Sequence, residues 1–146
     1  MQILNQTNNY KCLNDSNPII MVDDSKIDIS IAQRVHKRSD LPNPFLSFSS
    51  GPDFLVYMKK VKTGEEPTPA LVLLDINMPM LNGFDTIAEL RKQEEFADIP
   101  IIIMLTNSDD PHDVEKAREL GANGFQTKMF EIEKYVAFFN SLKSSS

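Results

Sequence analysis

Short unbroken apolar runs alternate with amphipathic segments along most of this chain. That alternation predicts an α/β fold: a parallel sheet doubly wound by helices on both faces. Three observations carry the prediction. Five runs read as strands: PIIMV (18–22), PFLSFS (44–49), ALVLL (70–74), PIIIML (100–105) and GFQT (124–127). A segment with helical spacing or capping signals follows each of them. The strongest runs are apolar throughout rather than alternating, as strands buried on both faces should be.

The first 17 residues, MQILNQTNNYKCLNDSN, are rich in Asn and Gln and carry no periodic apolar pattern, so they read as a flexible extension. Residues 18–143 then form one domain, and 144–146 a short tail. In the first helix, taken to start at Asp24, the residues Ile27, Ile31, Ala32 and Val35 share an arc expected to face the sheet, which points Ile29 outward. GPDFLVYMKKV (51–61) reads as the second helix, and the breaker-rich KTGEEPTP as a loop. NGFDTIAELRKQEE (82–95) is the third helix. Asp110 and Pro111 supply an N-cap and a first-turn proline for the fourth, which Gly121 ends. FEIEKYVAFFNSL (130–142) closes the chain.

At 146 residues the chain suits one domain with a substantial core. A net charge of −6 disfavours a nucleic-acid backbone as partner. The longest apolar runs fall far short of the ~18–20 residues of a membrane span. No charged-then-apolar leader opens the sequence, so a cytoplasmic location is expected. Cys12 is the single cysteine; it excludes an internal disulfide, fits a reducing compartment and reads as a bystander thiol.

In doubly wound sheets ligands bind beyond the carboxyl ends of the strands. Asp23 and Asp24 follow the first strand, Asp75 the third, Thr106 the fourth and Lys128 the fifth. The second strand runs into Ser49-Ser50-Gly51 and offers no charge. Taken singly, the aspartates after strand one are helix caps, Thr106 a turn residue and Lys128 a surface charge. Their joint placement points elsewhere. Three carboxylates at one edge repel unless a cation is present, and hard oxygen ligands suit Mg²⁺. The lysine would neutralise excess charge and the threonine would hydrogen-bond an anion, which together make a place for a phosphoryl group. No Gly-rich loop ending in Lys-Ser/Thr occurs, which argues against a nucleotide site of that kind. Attack of a carboxylate on phosphorus remains, with Asp75 as nucleophile and an acyl phosphate as product.

The pieces MVDDS (21–25), LVLLDINMPMLNGF (71–84), IIIMLTNS (101–108) and GANGFQTK (121–128) resemble, in order and spacing, the receiver domain of two-component response regulators, with its CheY-like, flavodoxin-like fold. The resemblance covers about residues 18–142. It implies strand order 2-1-3-4-5 and a stand-alone receiver in a phosphorelay, phosphorylated on Asp75 by a histidine kinase or histidine phosphotransfer protein. Asp24, Asp75 and the backbone carbonyl of Asn77 would hold Mg²⁺, with Asp23 acting through water. Lys128 would contact the phosphoryl group, and Thr106 and Phe125 would form the switch pair. The signal would leave through a protein partner on the face of the fourth helix, fifth strand and fifth helix, from a monomer or weak dimer. Turnover would be limited to Mg²⁺-dependent self-phosphorylation and slow autodephosphorylation, so the chain is not expected to be an enzyme in the ordinary sense. Ile29, beside the phosphorylation site, would anchor the docking phosphodonor.

Two positions depart from the family pattern. Met129 stands where proline usually follows the lysine, which suggests a trans path for that loop. Asn107 replaces a small residue after the switch threonine, which would narrow access to the phosphate. These departures leave a non-phosphorylated pseudo-receiver as the alternative reading. An aspartate-nucleophile phosphatase would want an acid two residues after Asp75, where this chain has Asn77.

Overall fold

The computed structural model describes residues 1–5, 15–107 and 110–143. Its elements, in chain order, are β1 (Gln2–Ile3), β2 (Ile19–Val22), α1 (Lys26–Arg38), β3 (Phe45–Phe48), α2 (Gly51–Lys62), β4 (Leu71–Asp75), α3 (Gly83–Arg91), a 3₁₀ turn (Glu94–Phe96), β5 (Ile102–Thr106), α4 (Pro111–Glu119), β6 (Gly124–Thr127) and α5 (Ile132–Ser141). The strands form one sheet in the order β1-β6-β5-β4-β2-β3. All pairs are parallel except β1 with β6. The five expected strands therefore take the order 2-1-3-4-5. After edge strand β1 the chain enters the middle of the sheet at β2, steps out to β3, then crosses back to β4, so strand order reverses between β2 and β4.

Each buried strand feeds both faces. Ile20, Val22, Val72, Leu74, Ile102 and Met104 pack with α2, α3 and α4 through Phe54, Met58, Ile87, Leu90 and Ala117. Their neighbours Ile19, Met21, Leu71, Leu73, Ile103 and Leu105 pack with α1 and α5 through Ala32, Val35, Phe138 and Phe139. Alternation of side chains along a strand divides one continuous apolar run between two cores. No helix among the described residues is long and apolar enough to cross a membrane.

Four expectations need correction. The amino-terminal segment is not a free extension at its ends. Gln2 and Ile3 pair with Phe125 and Gly124, Leu4 N–H bonds the Asn123 carbonyl, and the Asn5 amide donates to the carbonyls of Arg118 and Ala122. At the other end, the Asn17 side chain donates to the Thr68 carbonyl at 2.8 Å. Residues 6–14, with Cys12, and the tail 144–146 lie outside the described residues.

The third helix stops at Arg91 instead of running to Glu95, and a 3₁₀ turn follows. A continuous helix would carry Phe96 about 120° around the axis from the buried Leu90. The break turns Phe96 into the same core.

The first helix starts at Lys26 with Ser25, not Asp24, as its cap; the Ser25 hydroxyl accepts the Asp28 N–H at 3.2 Å. Its outward residue is Ile27, 73% exposed, whereas Ile29 packs against the core. The buried centre of this helix is Ala32 and Val35. Ile29 lies about 60° from Ala32, and Ile27 about 140°. The docking role given to Ile29 therefore falls. In the first turn the inward position belongs to Asp28, about 40° from Ala32.

Candidate functional site

The carboxyl ends of β2 and β4 meet where strand order reverses, and each ends on a carboxylate. Asp23 follows β2, with its N–H bonded to the Phe48 carbonyl and its side chain fully buried. Asp75 is the last residue of β4, paired with Leu105 and 3% exposed. Asp24 is exposed beside them. Asp23, Asp24 and Asp75 each bring one carboxylate oxygen within 4.8 Å of the others. Three hard, anionic donors this close fit a divalent cation of the Mg²⁺ or Mn²⁺ type, which takes carboxylates and keeps water.

Lys128 enters from beyond β6, where its N–H bonds the Thr106 carbonyl at 2.7 Å. Its ammonium lies 2.8 Å from Asp23 Oδ2, 2.8 Å from Asp28 Oδ2 and 3.5 Å from Asp75 Oδ1. Burial alone would lower the lysine. Hydrogen bonds to Asp23 and Asp28 and the charges of Asp75 and Asp23 outweigh it and hold the group above the ordinary lysine range. Asp75 moves the other way. Burial, then the charge of Asp23, pushes its carboxyl up to about 7, although Lys128 and the Asn77 N–H pull it down. Burial and the neighbouring Asp23 charge thus oppose ionisation of Asp75, and Lys128 offsets them only in part.

Glycine matters at one place here. Gly83 opens α3, and a Cβ on it would fall on the Asp75 carbonyl oxygen and within 2.8 Å of Ile76 Cα. Only glycine lets α3 approach the strand end that carries Asp75. Asn82 caps the helix, its side chain accepting the Asp85 N–H at 2.8 Å.

The fold brings together Asp23, Asp24, Asp75 and Lys128 as the sequence suggests. Thr106 is fully buried at the end of β5, beside Thr127 in register. Phe125 is buried on β6. Asn77 is exposed, and its N–H reaches Asp75 Oδ1 at 3.4 Å. The Lys128–Met129 peptide is trans, since the cis bond among the described residues is Ile99–Pro100. Asn107 is exposed. The residue that sequence reasoning missed is Asp28. Its one signal, Ser25-x-x-Asp28, reads as an ordinary helix start.

A doubly wound parallel sheet with acids and a lysine gathered at its strand ends has the CheY-like α/β architecture. The response regulator receiver domain model matches residues 19–140, and the chain belongs to that family. Response regulator Rcp1 of Synechocystis sp. is 29% identical over 134 residues, spanning 89% of this chain and 90% of Rcp1. The crystal structure of the Mn(2+)-bound form of Rcp1 superposes with a TM-score of 0.72 at 27% identity, covering 86% of this chain and 91% of that one. A response regulator in red light signalling of R. palustris gives a TM-score of 0.77 at 28% identity, covering 86% and 90%.

Proposed function

We propose that this receiver takes a phosphoryl group onto Asp75 from the phosphohistidine of a histidine kinase or phosphotransfer protein and passes the signal on by protein contacts. One observation carries the reading. Asp75 is a buried carboxylate at a strand end, 3.5 Å from the Lys128 ammonium and grouped with Asp23 and Asp24. In the reaction an Asp75 oxygen attacks phosphorus, and the phosphorus–nitrogen bond to the donor histidine breaks. The imidazole nitrogen leaves with that electron pair and takes a proton from solvent, while Asp75 is left as an acyl phosphate. Lys128 is placed to offset charge on the phosphoryl oxygens, and the Thr106 hydroxyl to hydrogen-bond one of them.

Mg²⁺ would be held by Asp24, Asp75 and the Asn77 carbonyl, with Asp23 acting through water. When bound it supplies the positive charge that lets a dianionic group approach three carboxylates. Thr106 and Phe125 then form a two-state pair biased by the phosphoryl group. The face of α4, β6 and α5 carries that state to a partner, and β1 belongs to the same edge. Rcp1, of which the match spans 90%, supports a receiver acting without a fused output domain. The same reading puts the protein in the cytoplasm.

Incubation with acetyl phosphate and Mg²⁺, followed by intact-mass measurement, tests this. One stable added phosphoryl group is expected on the wild type and none on Asp75→Asn. Asp24→Ala should weaken Mg²⁺ binding severely. Labelling of Asp75→Asn at the wild-type rate would show that Asp75 is not the nucleophile. An unlabelled wild type would instead mark a pseudo-receiver, and steady phosphate release a phosphatase.

A further inference from the structure

Lys128 has two partners more than the reaction above gives it. Its ammonium makes two short bonds, to Asp23 Oδ2 and Asp28 Oδ2 at 2.8 Å each, and stands 3.5 Å from Asp75 Oδ1. An ammonium has three N–H donors. Two of them, fixed by carboxylates on separate elements, set the rotation of the group and leave the third for the side of Asp75. We propose that Asp28 is a positioning residue, holding the Lys128 ammonium so that its remaining N–H is aimed at Asp75 and at the phosphoryl group Asp75 would carry. This rests on the phosphoacceptor reading.

The first turn of α1 is built to deliver that carboxylate. In a capping box the acid at the third helical position bonds back to the N–H of the cap. Here the Ser25 N–H is taken by Asp23 Oδ1 at 2.9 Å, and the Asp28 carboxylate reaches Lys128 instead. Asp28 keeps its own N–H on the Ser25 hydroxyl, so the backbone beneath the carboxylate is fixed. The contact is shielded: the Asp28 side chain is 26% exposed and that of Lys128 is 9%. The pair Arg38–Glu133, with side chains 55% and 84% exposed, shows the contrasting surface case, where solvent screens the attraction. Asp28 also lies outside the carboxylate group that fits a cation, which comprises Asp23, Asp24 and Asp75. Its part is therefore played on the lysine and not on the metal.

Two variants of the full chain separate positioning from mere folding. Asp28→Asn keeps an oxygen that accepts the Lys128 N–H and drops the charge, and Asp28→Ala removes both. The first readout needs no phosphoryl group: the ammonium signal of Lys128 in lysine-selective ¹H–¹⁵N NMR, identified by its loss in Lys128→Arg. It should persist in the wild type and Asp28→Asn and broaden away by exchange with water in Asp28→Ala. The second is the rate of acyl phosphate formation from acetyl phosphate at saturating Mg²⁺. Asp28→Ala should be about fivefold slower, the equivalent of one ordinary hydrogen bond, and Asp28→Asn close to wild type. An unchanged ammonium signal in Asp28→Ala overturns the proposal, as does wild-type uptake by that variant. Equal slowing by both variants makes Asp28 a source of charge and also overturns it. A wild type that takes up no phosphoryl group refutes the phosphoacceptor reading, and the ammonium signal then still decides whether Asp28 holds Lys128.

Discussion

Asp75 sits in surroundings that oppose its own ionisation. Burial first, then the charge of Asp23, raises its carboxyl from 3.8 to about 7. The folded chain therefore keeps a proton that the unfolded chain has already released between those values. Asp75 supports the fold fully below the unfolded value, and that support is lost as pH rises through about 7. In metal-free buffer Asp75→Asn should raise Tm near pH 8 by roughly 5 °C, on the order of 2 kcal/mol, and by much less near pH 4. Mg²⁺ should raise the wild-type Tm near pH 8 more than that of the variant, since it binds the folded carboxylates. Thermal melts across that pH range check both, and a Tm difference independent of pH would contradict the electrostatic account.

Two elements owe their places to side chains that bridge them. Arg91, at the end of α3, sends Nε to the Gly121 carbonyl at 3.2 Å and Nη1 to the Phe96 carbonyl at 3.1 Å. Its Nη2 reaches the Pro100 carbonyl at 2.9 Å and Asn123 Oδ1 at 3.2 Å. It thus ties α3, the 3₁₀ turn, the entry to β5 and the turn before β6. Burial lowers the guanidinium to about 10, so it stays charged at neutral pH. Arg91→Met should cost about 2–4 kcal/mol in urea unfolding while leaving phosphoryl uptake near normal, because these carbonyls lose their donor far from Asp75. The second element is β1, held at its end by Asn5 on the carbonyls of Arg118 and Ala122. Asn5→Ala should loosen β1 by about 1 kcal/mol, read as roughly fivefold faster amide exchange there with the exchange of β4 unchanged. Equal acceleration in both strands would mean that β1 does not open separately.

At the scale of the whole molecule, β6 joins the site to the far edge of the sheet. Lys128 leaves its end, Phe125 pairs with Met104 of β5 on one side, and Gln2 of β1 pairs with Phe125 on the other. Thr106, at the end of β5, accepts the Lys128 N–H. Phe125 is buried in the core beneath α4 and Tyr135 in the core beneath α5, so a two-state change beginning at Thr106 would reach α5 through the backbone of β6 and not by direct packing of Phe125 on it. Beryllofluoride, an acyl phosphate mimic, should shift backbone amides from Thr106 through Phe125 to Tyr135, and in β1 as well. Thr106→Ala should shorten that spread without preventing phosphorylation. Shifts confined to the neighbours of Asp75 would speak against a switch.

The parallel sheet and the meeting of Asp23, Asp24, Asp75 and Lys128 were both legible in the bare chain. Uninterrupted apolar runs demand burial on two faces, and a parallel sheet aligns its strand ends along one edge. So the residue after each strand has a known destination, whatever the helices do. Other features depended on partners distant in sequence. Ile3 and Leu4 are too few to make a pattern, and β1 exists only because the edge of β6, more than a hundred residues away, offers unpaired backbone groups. The arc Ile27–Ile31–Val35 looked like a buried face, but where α1 turns towards the sheet is set by Ala32 and Val35 packing against it. That rotation put Ile27 in solvent, Ile29 against the core and Asp28 on Lys128. A helical wheel orders side chains around an axis; only packing decides which of them faces inward, and the inward carboxylate is what the fold added to the site.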